Sequence, residues 1–150
     1  MKDYGKVMDT LAPWIQEMKF NPTSQRWVVK FHPNHLVEVY FFSAVIESLM
    51  RHVCNETIWL VCDALDIDFN KVISDDRSEI YADARQVCAL VIIEAAPHIS
   101  QTAVSRSLGW SSHAMIHQAK KNSHVAQIDK KIKKVYSSYP FLKDSSIPFK

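Results

Sequence analysis

Apolar residues recur along this chain at intervals that predict mostly helix. Val7, Leu11, Trp14, Ile15 and Met18 follow steps of three and four, the period of one helix face, which predicts a helix over 3–19. Pro13 removes a backbone donor inside it, so a break or kink is expected there. Asn21-Pro22-Thr23-Ser24 is turn chemistry. Arg26-Trp27-Val28-Val29-Lys30-Phe31 is β-branched and aromatic, which predicts one short strand, with no partner strand evident elsewhere. Residues 36–53 are apolar over a length that suits a helix. Asn55 is a good N-cap for the next helix, in which Ile58, Val61, Cys62 and Leu65 form one stripe.

Further on, 68–73 reads as a single helical turn and 74–78 as a polar loop. A long helix over 79–95 turns Ala84, Val87, Cys88, Val91 and Ile92 inward, and Pro97 ends it. Three short helices follow. One is capped by Ser100 and runs to Leu108; one starts at Ser111 or Ser112 and runs to about Lys121. The last covers 125–136, with Ile128, Ile132 and Val135 inward and four lysines outward. The tail from Pro140 reads as loosely ordered. The expected fold class is therefore all-α: a multi-helix domain containing a helix-turn-helix, with an N-terminal helical extension and one short strand. The organisation expected is an extension over 1–54, the domain over 55–138 and a tail over 139–150.

Composition narrows the functions available. Hydrophobic residues make up 47% of the 150 and charged ones 23%, a globular balance. Gly5 and Gly109 are the only glycines, so no Gly-rich loop exists to cradle a phosphate, and nucleotide binding is not expected. Cys54, Cys62 and Cys88 form no CxxC pair and read as buried hydrophobes in a reducing compartment. No apolar run has bilayer length, and the first residues lack a signal peptide's apolar stretch, which predicts a cytoplasmic protein without a membrane partner. Charge is uneven. Residues 1–99 carry nine Lys/Arg against fourteen Asp/Glu, whereas residues 100–150 carry nine against two. A basic end of this kind is what an anionic partner requires, although a solvated lysine-rich helix has the same composition.

The segment 100–121 reads as helix, tight turn, helix. Gly109 can take the left-handed conformation that ends the first helix, and Ser111 or Ser112 can cap the second. In a helix-turn-helix the second helix enters the major groove and its N-terminal residues meet base edges. With Ile116 and Ala119 facing the core, the outward set is His113, Ala114, His117, Gln118 and Lys121. His and Gln can hydrogen-bond to bases, Ala114 and Met115 can meet a thymine methyl, and Lys120 and Lys121 can reach phosphates.

On these residues the chain resembles a known family. Ala84-Arg85-Gln86 opening the long helix, Ser100 opening the next, then Gly109 and His113 at matching spacing resemble the C-terminal DNA-binding domain (domain IV) of the bacterial chromosomal replication initiator DnaA. The stretch 58–65, Ile-Trp-Leu-Val-Cys-Asp-Ala-Leu, is similar to that family's first helix, and the likeness spans about 55–138. The resemblance implies that Arg77 probes the minor groove, that Arg85 and Gln86 contact the backbone, and that His113 begins the recognition helix. Departures are specific. Ser74-Asp75-Asp76 stands where the family has a basic loop, and Glu94 where it often has lysine. Ser111 and Ser112 replace an Arg-Asp pair, and Ala114 and Met115 replace two threonines. These imply a different DNA target, and the missing nucleotide-binding domain gives no ground to expect origin melting.

Other chemistry is poorly supported. His113 and His117 have zinc-ligand spacing, but Ala114 stands where HExxH needs its glutamate, so no metal is expected. Asp63, Asp66 and Asp68 lack the glycine and terminal glutamate of a calcium loop, and GxSxG is absent. His32 and His35 read as surface residues. The expectation is a non-enzymatic, cofactor-free binder of double-stranded DNA in replication or transcription control. The alternative is a protein-interaction module that keeps the fold but has lost its DNA surface, motivated by Asp75, Asp76 and Glu94. A homodimer or protein contact would then use residues 1–54, with Trp27 or Phe31 exposed.

Overall fold

The computed structural model describes residues 4–111 and 113–144. It is helix-rich but not all-α: a three-stranded antiparallel sheet precedes the main helices, which corrects the fold class expected above. Helix α1 (Tyr4–Leu11) ends at a 3-10 turn, Ala12–Trp14, that accommodates Pro13 in its first turn. Strand β1 (Ile15–Asn21) pairs with β2 (Arg26–Phe31), which pairs in turn with β3 (His35–Val39). The single expected strand is thus the middle one of three.

Both missed strands have a physical explanation. In β1 the register against β2 shifts between Ile15 and Glu17. This bulge lets Ile15, opposite Phe31, and Met18, opposite Val29, lie on one face. A three-residue step that imitates a helix turn is therefore a two-residue alternation interrupted by one extra residue. In β3, Val37 and Val39 face inward while Leu36 and Glu38 are exposed, yet the mostly apolar sequence running on into the next helix hides the change of period. The β1–β2 turn follows its residues closely: Asn21 Oδ1 accepts from the Thr23 and Ser24 amides at 2.9 and 3.3 Å, and Gln25 takes φ 61°.

Helix α2 (Phe42–Leu65) has 24 residues, about 36 Å at 1.5 Å per residue. It passes through Asn55, which is an exposed mid-helix residue rather than the expected cap, and the division drawn after residue 54 falls inside it. Asparagine inside a helix costs well under 1 kcal/mol. Burial of Val53, Cys54, Thr57, Ile58 and Val61 on either side of it outweighs that, at about 1.5–3 kcal/mol for a large apolar side chain. The sheet and α1 pack on this helix, as do α4 (Glu79–Ala95), α5 (Gln101–Ser107) and α7 (Ala126–Ser138). The short α3 (Phe69–Val72) and α6 (Ala114–Lys121) lie against α4. A final turn, α8 (Phe141–Asp144), buries Leu142 and packs on α4, so the start of the expected loose tail is held. One continuous apolar cluster joins sheet and helices.

Candidate nucleic-acid interface

The α5–turn–α6 unit is built from local signals. Ser100 Oγ accepts from the Ala103 amide at 3.2 Å and starts α5. At its other end the Trp110 amide donates to the Ser105 carbonyl at 2.8 Å and the Gly109 amide to the Arg106 carbonyl at 3.1 Å, with Gly109 at φ 73°. This is the Schellman arrangement, which satisfies the last carbonyls of a helix and needs a left-handed residue. A Cβ at Gly109 would lie 2.9 Å from the Ile73 carbonyl oxygen, so the glycine also lets the 73–78 loop approach the turn. That approach sets Asp75, Asp76 and Arg77 beside the helix-turn-helix.

Helix α6 buries Ile116 and Ala119 completely and exposes Ala114, Met115, His117, Gln118, Lys120 and Lys121. The outward face is thus the expected one. Its N-terminus is not capped as expected: His113 occupies the cap position without a side-chain hydrogen bond to the helix amides, Ser111 is exposed upstream, and Ser112 lies outside the described residues. His113 Nε2 lies 3.2 Å from Thr102 Oγ1, which steers the exposed ring toward α5. At the other end Gln118 donates to Asn122 (3.3 Å), and Asn122 donates to Gln86 on α4 (3.0 Å). Gln86 is therefore half-buried and anchors the end of α6.

Arg85 departs most from the role the resemblance implies. Only 7% exposed, it donates from Nε to the Val72 carbonyl (2.6 Å) and from Nη2 to those of Lys71 (3.1 Å) and Ser74 (2.8 Å). A guanidinium there ties together the carbonyls where α3 ends. It supports the 73–78 loop from beneath and does not reach the surface. Arg77 is exposed and, among the described residues, forms no ion pair with Asp75, Asp76 or Glu79. Asp76 accepts from the Ser78 amide at 2.9 Å, and hydrogen bonds from Ser78 hold its carboxyl below the usual range. The loop therefore keeps a negative charge next to Arg77. Glu94 accepts from the Tyr136 hydroxyl at 2.9 Å and is tied to α7.

Two arginines escaped the sequence reading. Arg51 on α2 and Arg106 on α5 line an open cavity of about 490 Å³ with Glu47, Asn55, Ser100, Thr102 and Ser107, on the α5 face that Thr102 shares with His113. Arg51 and Arg106 are far apart in sequence, and only the α2–α5 packing brings them together. On α7, Lys131 pairs with Asp83 (3.2 Å) and Lys133 with Asp129 (2.9 Å), whereas Lys130 and Lys134 have no ion pair among the described residues. His35 and His52 meet at Phe31, which is fully buried rather than exposed as expected: the His52 ring centroid lies 5.2 Å from Phe31 and 5.1 Å from His35, and His52 Nε2 donates to the His32 backbone carbonyl. Among the described residues no three His, Cys, Asp or Glu side chains form a metal cage, and no helix is long and apolar enough to cross a membrane.

No protein-family model matches this chain, and no curated protein or solved structure does either.

Proposed function

We propose that this chain binds double-stranded DNA through α6, as a non-enzymatic module of replication or transcription control associated with the nucleoid. The observation that carries the reading is the split of α6 between buried Ile116 and Ala119 and an outward row of His, Met, Gln and Lys behind a glycine turn. His117 and Gln118 would read base edges, Met115 would meet a thymine methyl, and Lys120 and Lys121 would neutralise phosphates. Arg77 from the neighbouring loop, with Arg106 and Arg51 beyond α5, would extend the contact along the backbone. The likeness to domain IV of DnaA supports the same reading, with Arg85 and Gln86 as supports of the interface rather than contacts.

Anisotropy titration of labelled random-sequence duplexes tests this. Each phosphate neutralised contributes about −0.9 to the slope of log affinity against log salt. Lys120→Ala and Lys121→Ala should each flatten that slope by about one contact, and Gln118→Ala should relax sequence preference by about 1–3 kcal/mol at one position. Salt-insensitive or undetectable duplex binding would sink the proposal. A protein-interaction role for the same fold has one observation in its favour: Asp75 and Asp76 put negative charge beside the turn, where a phosphate backbone would be repelled. Asp75→Asn with Asp76→Asn separates the two, because it should tighten DNA binding and weaken contact with a basic protein surface.

A further inference from the structure

The sheet ends on β1, whose outer edge carries no neighbouring strand among the described residues; Gln16 to Asn21 are all exposed. Such an edge offers a row of unpaired amides and carbonyls to another strand. The face of β1 that continues the core side of the sheet is apolar at Met18, opposite Val29, and at Phe20, opposite Trp27. Phe20, 46% exposed, sits with its ring 5.5 Å from Trp27, which lies 5.3 Å from Phe42, and Met18 is exposed beside them. The opposite face of the strand carries Glu17 and Lys19, with side chains 60% and 66% exposed and paired with each other at 3.5 Å, an exposed pair that can be exchanged for contacts to a second strand.

We propose that two copies of this chain pair through β1, antiparallel about a twofold axis at Met18, to make a six-stranded sheet. The register follows from charge. A twofold at Glu17 sets Glu17 against its own copy, and one at Lys19 sets lysine against lysine; like charges directly opposed disfavour both. A twofold at Met18 sets Glu17 of each copy against Lys19 of the other, two ion pairs on one face. It sets Met18 against Met18 on the other face, with Phe20 of each copy opposite Gln16 of the other, beside the bulge. Shifting the pairing by one residue would turn one copy's apolar face to the opposite side of the sheet. The interface is isologous, so it closes at two copies. The other edge, β3, lacks this complementarity: pairing about Val37 opposes Leu36 to Glu38. The inference is independent of DNA binding.

Sedimentation equilibrium of the full chain and of two charge variants tests it. The unsubstituted protein is expected at twice its 17.3 kDa mass. E17K leaves two lysines on the edge and K19E two glutamates, so each variant alone should dimerise at least tenfold more weakly. An equimolar mixture of the two should recover the dimer, because every opposed pair is then of opposite sign. That recovery would also show that both variants are folded. A monomer at about 0.1 mM unsubstituted protein, variants that dimerise as tightly as the parent, or a mixture that stays monomeric would each overturn the proposal.

Discussion

Single residues set the limits of this fold, and Gly109 is the clearest. Its φ of 73° and the 2.9 Å separation between a notional Cβ and the Ile73 carbonyl oppose any side chain. Neither obstacle is a flexible side-chain end that could move aside. Gly109→Ala should cost about 2 kcal/mol, combining left-handed strain with a backbone clash, and a lowered urea midpoint at unchanged slope would show it. His52 is a second such position. It is buried between sheet and α2, its Nε2–H donates to the His32 carbonyl, and burial holds its pKa below the ordinary 6.5. The folded protein therefore prefers the neutral ring, while the unfolded chain takes up the proton. Stability from this group is present above about pH 6.5 and is lost as pH falls, with a limiting slope of about 1.4 kcal/mol per pH unit. Urea midpoints measured downward from neutral pH should fall, and His52→Gln should remove that part of the decline.

Among the elements, the 73–78 loop and α6 depend on one another through buried support. Arg85 holds three carbonyls at the end of α3, and the loop that follows lies against the turn at Gly109. Arg85→Ala should lower stability by about 3 kcal/mol, since charge-assisted bonds to buried carbonyls are lost together. If Arg85 instead met DNA from the surface, duplex affinity would fall with stability unchanged. Thermal unfolding and anisotropy on the same variant distinguish these outcomes. Lysine would not rescue it, because a single ammonium cannot reach three carbonyls spread around a planar guanidinium.

The whole molecule has one core, and its thiols report on it. Cys54 and Cys62 lie on α2 and Cys88 on α4, all buried; burial pushes the Cys54 thiol up to about 12 and raises that of Cys88, while a hydrogen bond from Cys88 lowers that of Cys62, which only burial shields from reagent. A thiol is reactive as the thiolate and only when reached by the reagent. All three should stay unlabelled at pH 8 in the folded protein and become reactive together, at the denaturant concentration where helical circular dichroism is lost. Labelling of Cys88 or Cys54 well before that transition would show that sheet and helices do not unfold as one unit.

Much of the second half of the chain was legible in the sequence. Ser100 as a cap, Gly109 as a left-handed stop, Ile116 and Ala119 as the buried side of α6, and the inward residues of α4 and α7 all follow from contacts within a turn or two. Tertiary structure alone decided the rest. A strand declares itself through a neighbour far along the chain, and the β1 bulge disguised its alternation as a helical step. Asn55 stayed inside α2 because burial against other elements outweighed its local preference. Arg85 turned inward because three carbonyls at and just after the end of α3, those of Lys71, Val72 and Ser74, converge as acceptors beside α4. Local periodicity and capping act over a few residues and can be read there, whereas register, helix continuity and the direction of a long charged side chain depend on what folding brings alongside.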